Sequence, residues 1–455
     1  MSSNKLRKIT LFSLTWPIFI EILLHMLMGN ADTLMLSQYS DNAVAAVGVS
    51  NQVLSVVIVM FGFVAQGAAI LIAQHLGANN RKQAREITVT AISLNLLFAI
   101  VLSTALFLGT KEILQLIDLP LEIMDEASSY MKIVGGLIFI QALIMTVGAI
   151  LRSYGFTKDT MSVTIGMNIL NVIGNYIVIF GPFGFPVLGV EGVAYSTAIS
   201  RFIGFLFIFY LLLKRSQEKM DFSNFFRYQK QHIKPLLQIG IPSAGEQLSY
   251  NASQMMITYF VAQLGTLAIT TKVYAQNLMM FIFLFSIAIG QGTQILIGHM
   301  IGAGKMEEAY QRAIKSLKIS IVISLSIATI AYLFSDSLLG IFTNNPSIIE
   351  TGGALLLMTI ILEPGRAINI VMISSLRAAG DVKFPAYIGI AVMWGIGVTI
   401  AWFFSIYLHL GLIGIWISFI ADEWLRGMFM LRRWKKRNWV SMSFVDSEEN
   451  KPSTF

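Results

Sequence analysis

Seven stretches of this chain (54–73, 88–108, 160–182, 202–213, 278–297, 319–334 and 385–407) contain no Asp, Glu, Lys or Arg. A helix adds ~1.5 Å per residue, so about 20 mainly apolar residues cross a hydrocarbon core of ~30 Å. The apolar runs are continuous and do not alternate, which fits helices and not a barrel. Composition agrees: 55% of the 455 residues are hydrophobic and only 13% charged, about half the charged share of a soluble domain. The expected fold class is therefore an all-α integral membrane protein. Lys5, Arg7 and Lys8 resemble a basic leader. The apolar block behind them nevertheless carries Glu21, His25 and Asp32, and no small-residue cleavage pattern follows, so it reads as the first span. The absence of cysteine excludes disulfides and thiolate metal sites.

A net charge of +7 can signal nucleic acid, but here the basic residues alternate between loops. One set of loops holds Lys5, Arg7 and Lys8; Arg81, Lys82 and Arg85; Arg152 and Lys158; the cluster from Lys214 to Lys234; Lys305 and Arg312; Arg377 and Lys383; and Arg432 to Arg437. The intervening loops offer little beyond Lys111 and Lys272. The positive-inside rule makes the first set cytoplasmic. An even number of spans follows, twelve on our reading, in the cell (inner) membrane with both termini cytoplasmic. No nucleic-acid partner is expected.

The chain also repeats itself. Pro17 recurs as Pro242 (242 − 17 = 225), and the same offset carries Glu21 to Glu246, Gln66-Gly67 to Gln291-Gly292, Gly77-Ala78 to Gly302-Ala303, and Leu151-Arg152 to Leu376-Arg377. Apolar residues recur by chance in any helical membrane protein, whereas Pro, Glu, Gln, Arg and Gly in one register do not. Six spans per half make a parallel repeat about an axis along the membrane normal, an arrangement that puts a binding cavity between lobes near the midplane. The expected division is an N-lobe 1–213, a cytoplasmic linker 214–235, a C-lobe 236–437 and a disordered tail 438–455.

An ionisable side chain inside a span costs several kcal/mol and is a functional candidate by default. The first span has Glu21, His25 and Asp32; the seventh has Glu246; the tenth has Glu363 and Arg366; the sixth has Arg201; the twelfth has Asp422, Glu423 and Arg426. Asp32 can exchange a proton for a cation, or bind Na+ with amide oxygens, as the possible metal ligands Asn171 and Asn175 would supply; a wetted helix-end Asp is the plainer alternative. Asn171 and Asn175 stand one turn apart on one face and serve equally well as interhelical hydrogen-bond glue. Glu21 and His25 share an i, i+4 face and stand ready to share a proton, or His25 is simply packed. Glu246, the repeat mate of Glu21, either lines an inward mouth or fixes packing. Glu363 and Arg366, at i and i+3, are expected to neutralise each other. The Asp422 group reads as an interface cluster. No H-E-x-x-H, G-x-S-x-G or Walker A pattern is present, so the chain is not expected to be an enzyme, needs no cofactor, and must draw on an ion gradient for uphill work.

Several segments together carry a family likeness. WPIFIEILLHMLMGNADTLMLSQYS resembles the first helix of exporters of the multidrug and toxic compound extrusion (MATE) family. AQGAAILIAQHLGANNRKQA and GQGTQILIGHMIGAGKMEEA resemble the two copies of their second- and eighth-helix signature, LRSYGFTKDT and LRAAGDVKFP the ends of the fourth and tenth, and NILNVIGNYIVIFG their fifth. The resemblance covers about residues 10–435. It implies twelve transmembrane helices in two pseudo-symmetric six-helix lobes forming a V, and export of hydrophobic, often cationic drug-like compounds in exchange for Na+ or H+. It also implies an N-lobe cation site at Asp32, Asn171 and Asn175; Asn at the last position looks like the bacterial NorM-type branch. The branch's C-lobe acids would fall at Tyr250 and Arg366, where this chain has none. Glu246 and Glu363 are acids displaced by about a turn, so the likeness does not carry a C-lobe cation site over.

The expectation is a secondary antiporter acting as a monomer on small molecules, with Glu21, His25, Glu246, Tyr250, Glu363 and Arg366 as cavity candidates. Two alternatives remain: a flippase of lipid-linked saccharides on the same fold, whose cavity would need cations such as Arg201 and Arg366, and a non-transporting membrane scaffold or receptor.

Overall fold

The computed structural model describes residues 10–216, 225 and 230–445. It is helical throughout, and no strand occurs among the described residues. The first half contributes α1 (Leu11–Ser37), α2 (Asp41–Gly77), α3 (Arg81–Leu108), α4 (Leu121–Gly135 and Phe139–Ser153, bent by 44°), α5 (Thr157–Phe180) and α6 (Gly189–Arg215). The second contributes α7 (Lys230–Gln263), α8 (Thr266–Gly302), α9 (Met306–Leu333), α10 (Pro346–Ala378), α11 (Lys383–Tyr407) and α12 (Gly411–Lys435). Nine of these are long and apolar enough to cross a membrane, and α4 makes ten. The two remaining, α7 and α12, bring the long helices among the described residues to the expected twelve, beside the short helices Thr110–Leu116 and Ser335–Gly340; α12 carries Asp422, Glu423 and Arg426 within its buried face.

Local chemistry sets the helix ends. Asn80 caps α3 by accepting the Gln83 amide. Asn345 caps α10 ahead of Pro346, whose missing N–H is no loss at a first turn. The α5 helix stops at Gly181, which takes the left-handed conformation at φ 57°.

Two compact units emerge. Of the described residues, one comprises those up to Phe19, Ala73–Asn79 and those from Ile241; the other comprises Ile20–Ile72 and those between Asn80 and Gly240. The first turns of the two leading helices are thus exchanged, and glycines show how. In the unit built mainly from the second half, Gly292 lies against Leu11, Leu14 and Thr15 of α1. In the other unit, Gly67 lies against the backbone of Leu236 in α7. Gly67 and Gly292 are repeat mates, and so are Leu11 and Leu236, so the two packings are one motif used twice.

The core of the first-half unit centres on Phe61, Tyr130, Met131 and Ile138, and that of the second-half unit on Met279, Leu355, Trp416 and Phe419. In the second-half unit α10 is the central rod, flanked by α8, α9 and α12.

Most of the linker expected at 214–235 lies outside the described residues, although α7 already begins at Lys230. The tail expected to be disordered from residue 438 is packed over its first part. Trp439 stacks on Trp434 with ring centroids 4.1 Å apart, and the Phe444 amide donates to Gln74 Oε1 at 2.9 Å. An aromatic side chain with this much apolar surface gains by leaving water, which explains why order continues past the last helix. Residues 446–455 lie outside the described residues.

Candidate functional site

In the first-half unit, Asp32 of α1 meets α5. Asn175 Nδ2 donates to Asp32 Oδ1 at 2.7 Å, and the same amide reaches Asn171 Oδ1 at 3.4 Å. Asn171 in turn donates to Thr197 Oγ1 of α6 at 3.2 Å. The one-turn spacing on α5 therefore builds a chain from carboxylate to amide to amide to hydroxyl. Asn175 is fully buried at 0% exposure, and its carbonyl oxygen has no hydrogen-bond partner. A buried acceptor without a partner costs about 1–3 kcal/mol. Asn168 is tied to the Leu24 carbonyl at 3.0 Å and anchors α5 to α1 beside the site.

Three further residues complete the surroundings. Tyr130 of α4 donates to Asn51 of α2 at 3.3 Å, and it lies within electrostatic reach of both Asp32 and Arg201. Arg201 of α6 likewise lies within electrostatic reach of Asp32. Tyr130, Asn51 and Thr197 were not singled out from sequence: a phenol among apolar neighbours and a threonine in a helix leave no periodic mark. Arg201 stood out as an intramembrane charge, but nothing in the sequence paired it with Asp32. Among the described residues no group of three or more His, Cys, Asp or Glu gathers to hold a metal. The site has one carboxylate, and its other donors are amides and hydroxyls.

The hydrogen-bond partners of Glu21 are residues other than His25. Glu21 Oε1 accepts from Arg152 at 2.7 Å and Oε2 from Thr160 at 2.9 Å, so both oxygens are engaged. His25 makes no hydrogen bond to Glu21 among the described residues, although it lies within electrostatic reach of Glu21, Arg152 and Arg201. In the second-half unit Glu246 repeats the arrangement, accepting from Arg377 at 2.5 Å.

The expected Glu363–Arg366 pair is present, but it belongs to something larger. Arg366 Nη1 holds Glu363 Oε1 at 2.5 Å, its Nε reaches Glu423 Oε1 at 3.5 Å, and its guanidinium lies 5.1 Å from the Phe283 ring centroid. Arg426 pairs with Asp422 and, at 3.3 Å, with Glu423, which also accepts from Asn369 at 2.7 Å. Tyr250 of α7 stands within electrostatic reach of this group. The Asp422 group, read as an interface cluster, is packed within the unit: Asp422, Glu423 and Arg426 are all buried. Three carboxylates face two guanidiniums, and Glu363 Oε2 is buried without a partner.

The MatE family model matches this chain twice, over residues 17–177 and 242–403. The chain belongs to the MATE family. The two matches begin 225 positions apart (242 − 17), the offset of the internal repeat. This MATE protein is 56% identical to the uncharacterized transporter YisQ of Bacillus subtilis over 95% of both chains. It is 30% identical to the probable multidrug resistance protein NorM of Thermotoga maritima, over 94% of this chain and 93% of that one. A MATE crystal structure in the bent conformation matches with a TM-score of 0.86 over 94% of both chains at 20% identity, a likeness of fold. The chain is accordingly a multi-pass membrane transporter of the multidrug efflux class and not an enzyme.

Proposed function

We propose that this MATE protein is an antiporter that exports hydrophobic, often cationic compounds in exchange for a cation taken up at Asp32, with Asn171 and Asn175 as its assisting groups. One observation carries the reading: the only carboxylate of the site is bound by an amide whose own oxygen is buried and unpartnered. A cation arriving at Asp32 removes the need for the amide donor, and rotation of the Asn175 amide would then present its oxygen. A proton needs one acceptor and suits a single carboxylate, whereas Na+ needs several oxygens around it. Arg201 opposes a second positive charge, so the cation binds weakly enough to leave again. In this reading the two compact units, each built mainly from one six-helix half, are the moving parts of alternating access.

The flippase reading needs cations for a pyrophosphate, but Arg366 is already spent on Glu363 and Glu423. The test is uptake of ethidium into inverted membrane vesicles under an imposed H+ or Na+ gradient. Wild-type protein should respond to one of them, the proton on the argument above, and Asp32→Asn should insert normally yet lose the response. Undiminished coupled uptake by Asp32→Asn would sink the assignment.

A further inference from the structure

The second-half unit holds a cavity of about 1190 Å³ between the first turns of α1 and the facing sides of α8 and α9. Its wall changes character along its length. One stretch is apolar, formed by Trp16, Phe19, Phe285, Ile289, Ile319 and Ile323. Phe19 and Phe285 stack there with centroids 4.3 Å apart. The other end is charged, with Lys305, Glu308 and Arg312 beside His299. Lys305 Nζ holds Glu308 at 2.9 Å, which neutralises one cation. Arg312 is half-buried and has no ion-pair partner among the described residues, so this end keeps an excess of one positive charge.

The length of the groove bears on its occupant. Phe285 and Leu296, apolar residues of its wall, are eleven positions apart on α8, a rise of ~16 Å. Half of a ~30 Å hydrocarbon core is ~15 Å, so the apolar stretch matches one leaflet. The charged end sits where α8 ends and α9 begins, in a loop of the basic set, which is headgroup level on that side of the membrane. A molecule with an apolar body one leaflet long and an anionic head at the interface satisfies both ends. An organic cation would meet Arg312 unfavourably, and a zwitterionic lipid would bring its own cation to the same place.

We propose that this groove binds one anionic phospholipid, its phosphate on Arg312 and Lys305 and an acyl chain along Phe285, Ile289, Ile319 and Ile323. Basic recesses between transmembrane helices on the positively charged side recognise anionic headgroups by this complementarity. The proposal does not depend on which ion or drug the protein carries.

The experiment is native mass spectrometry of the full chain in detergent, titrated with dioleoyl phosphatidylglycerol or dioleoyl phosphatidylcholine. Wild-type protein should retain one phosphatidylglycerol in preference to phosphatidylcholine. Arg312→Gln should lose that preference by about tenfold, the worth of one charge-assisted contact, and Arg312→Lys should keep most of it. Lys318→Gln removes an exposed cation of the same helix that does not line the groove, and should change nothing. Equal retention of the two lipids by wild type, or an equal loss in Lys318→Gln, overturns the site in favour of diffuse attraction. Should Arg312→Gln fail to fold, Ile319→Trp fills the apolar stretch with both cations intact and must reduce phosphatidylglycerol retention; unchanged retention overturns the proposal as well.

Discussion

Glu246 and Arg377 form an ion pair across 131 positions of chain, and Glu21 and Arg152, each 225 positions earlier, form the same pair across the same separation. Both carboxylates follow a helix-breaking residue type by one turn, Pro17 and Pro242, and both arginines close the last turn of a helix. The repeat therefore preserves a tie between the first and fourth helices of each half, not only a pattern of apolar residues.

This tie predicts a matched pair of stability effects. Removing one partner of a partly buried ion pair strands the other, at a cost of up to ~3–5 kcal/mol when burial is complete. Arg377→Met should lower the thermal midpoint in detergent, and Glu246→Gln with Arg377→Met should recover part of the loss. The same series at Glu21 and Arg152 should run in parallel, softened by Thr160, which still bonds Glu21. No recovery in either double variant would mean that the pairs are not coupled.

The repeat also governs a close crossing in the second-half unit. A Cβ added at Gly77 would run into the carbonyl of His299, and one added at Gly302 into the carbonyl of Gln74; residues 77 and 302, like 74 and 299, are repeat mates. Ala replacing Gly inside a helix ordinarily stabilises by ~1 kcal/mol. At Gly302 the sign should reverse, because backbone cannot give way as a flexible side chain can. Gly166→Ala, with nothing within 4 Å, is the control and should stabilise. Thermal unfolding of the two variants side by side reads the difference; equal shifts would show that the crossing tolerates a methyl group.

Much of this was legible because the signals are periodic or repeated. Charge-free runs gave the spans, the 225-residue offset gave the two halves, and i, i+4 spacing put Asn171 and Asn175 on one face; it was the family resemblance that joined them to Asp32. What stayed hidden was long-range pairing. Glu21 could be read against His25 one turn away, but its partner is Arg152, and no local pattern links them; only the fact that both recur at the repeat offset hinted at a joint role. Asp422, Glu423 and Arg426 read as an interface cluster because they sit within two turns near a basic helix end. Their burial follows from α10 packing along α12, which brings Arg366 and Asn369 to them.

Around Asp32, the amides should matter for coupling before they matter for folding. Asn175→Leu removes the donor that holds Asp32 and the buried oxygen that lacks a partner. One loss destabilises and the other relieves, so expression should change little. The dependence of vesicle transport on the driving cation should weaken clearly, and Asn171→Leu should do the same to a lesser degree, since it touches Asp32 only through Asn175. A variant that misfolds while its residual transport keeps full cation dependence would return both residues to packing.

The second-half network makes the sharpest prediction because its charges do not balance. With Glu363, Asp422 and Glu423 against Arg366 and Arg426, the group carries one more carboxylate than guanidinium. Glu363→Gln brings two against two. It keeps an acceptor for Arg366 and gives the buried, unpartnered side of Glu363 a group that bears no charge. Arg366→Gln does the opposite and leaves three carboxylates to one guanidinium, with Glu363 stranded at 0% exposure. An uncompensated buried charge costs ~3–5 kcal/mol. The arginine variant should therefore be strongly destabilised, and the glutamine variant at residue 363 nearly neutral. Adding Glu363→Gln to Arg366→Gln should recover more than half of the loss, as the remaining imbalance falls back to one. Thermal midpoints of the three variants decide it. If Glu363→Gln is as damaging as Arg366→Gln, the network holds all three carboxylates ionised through partners other than these arginines, and the charge count is wrong.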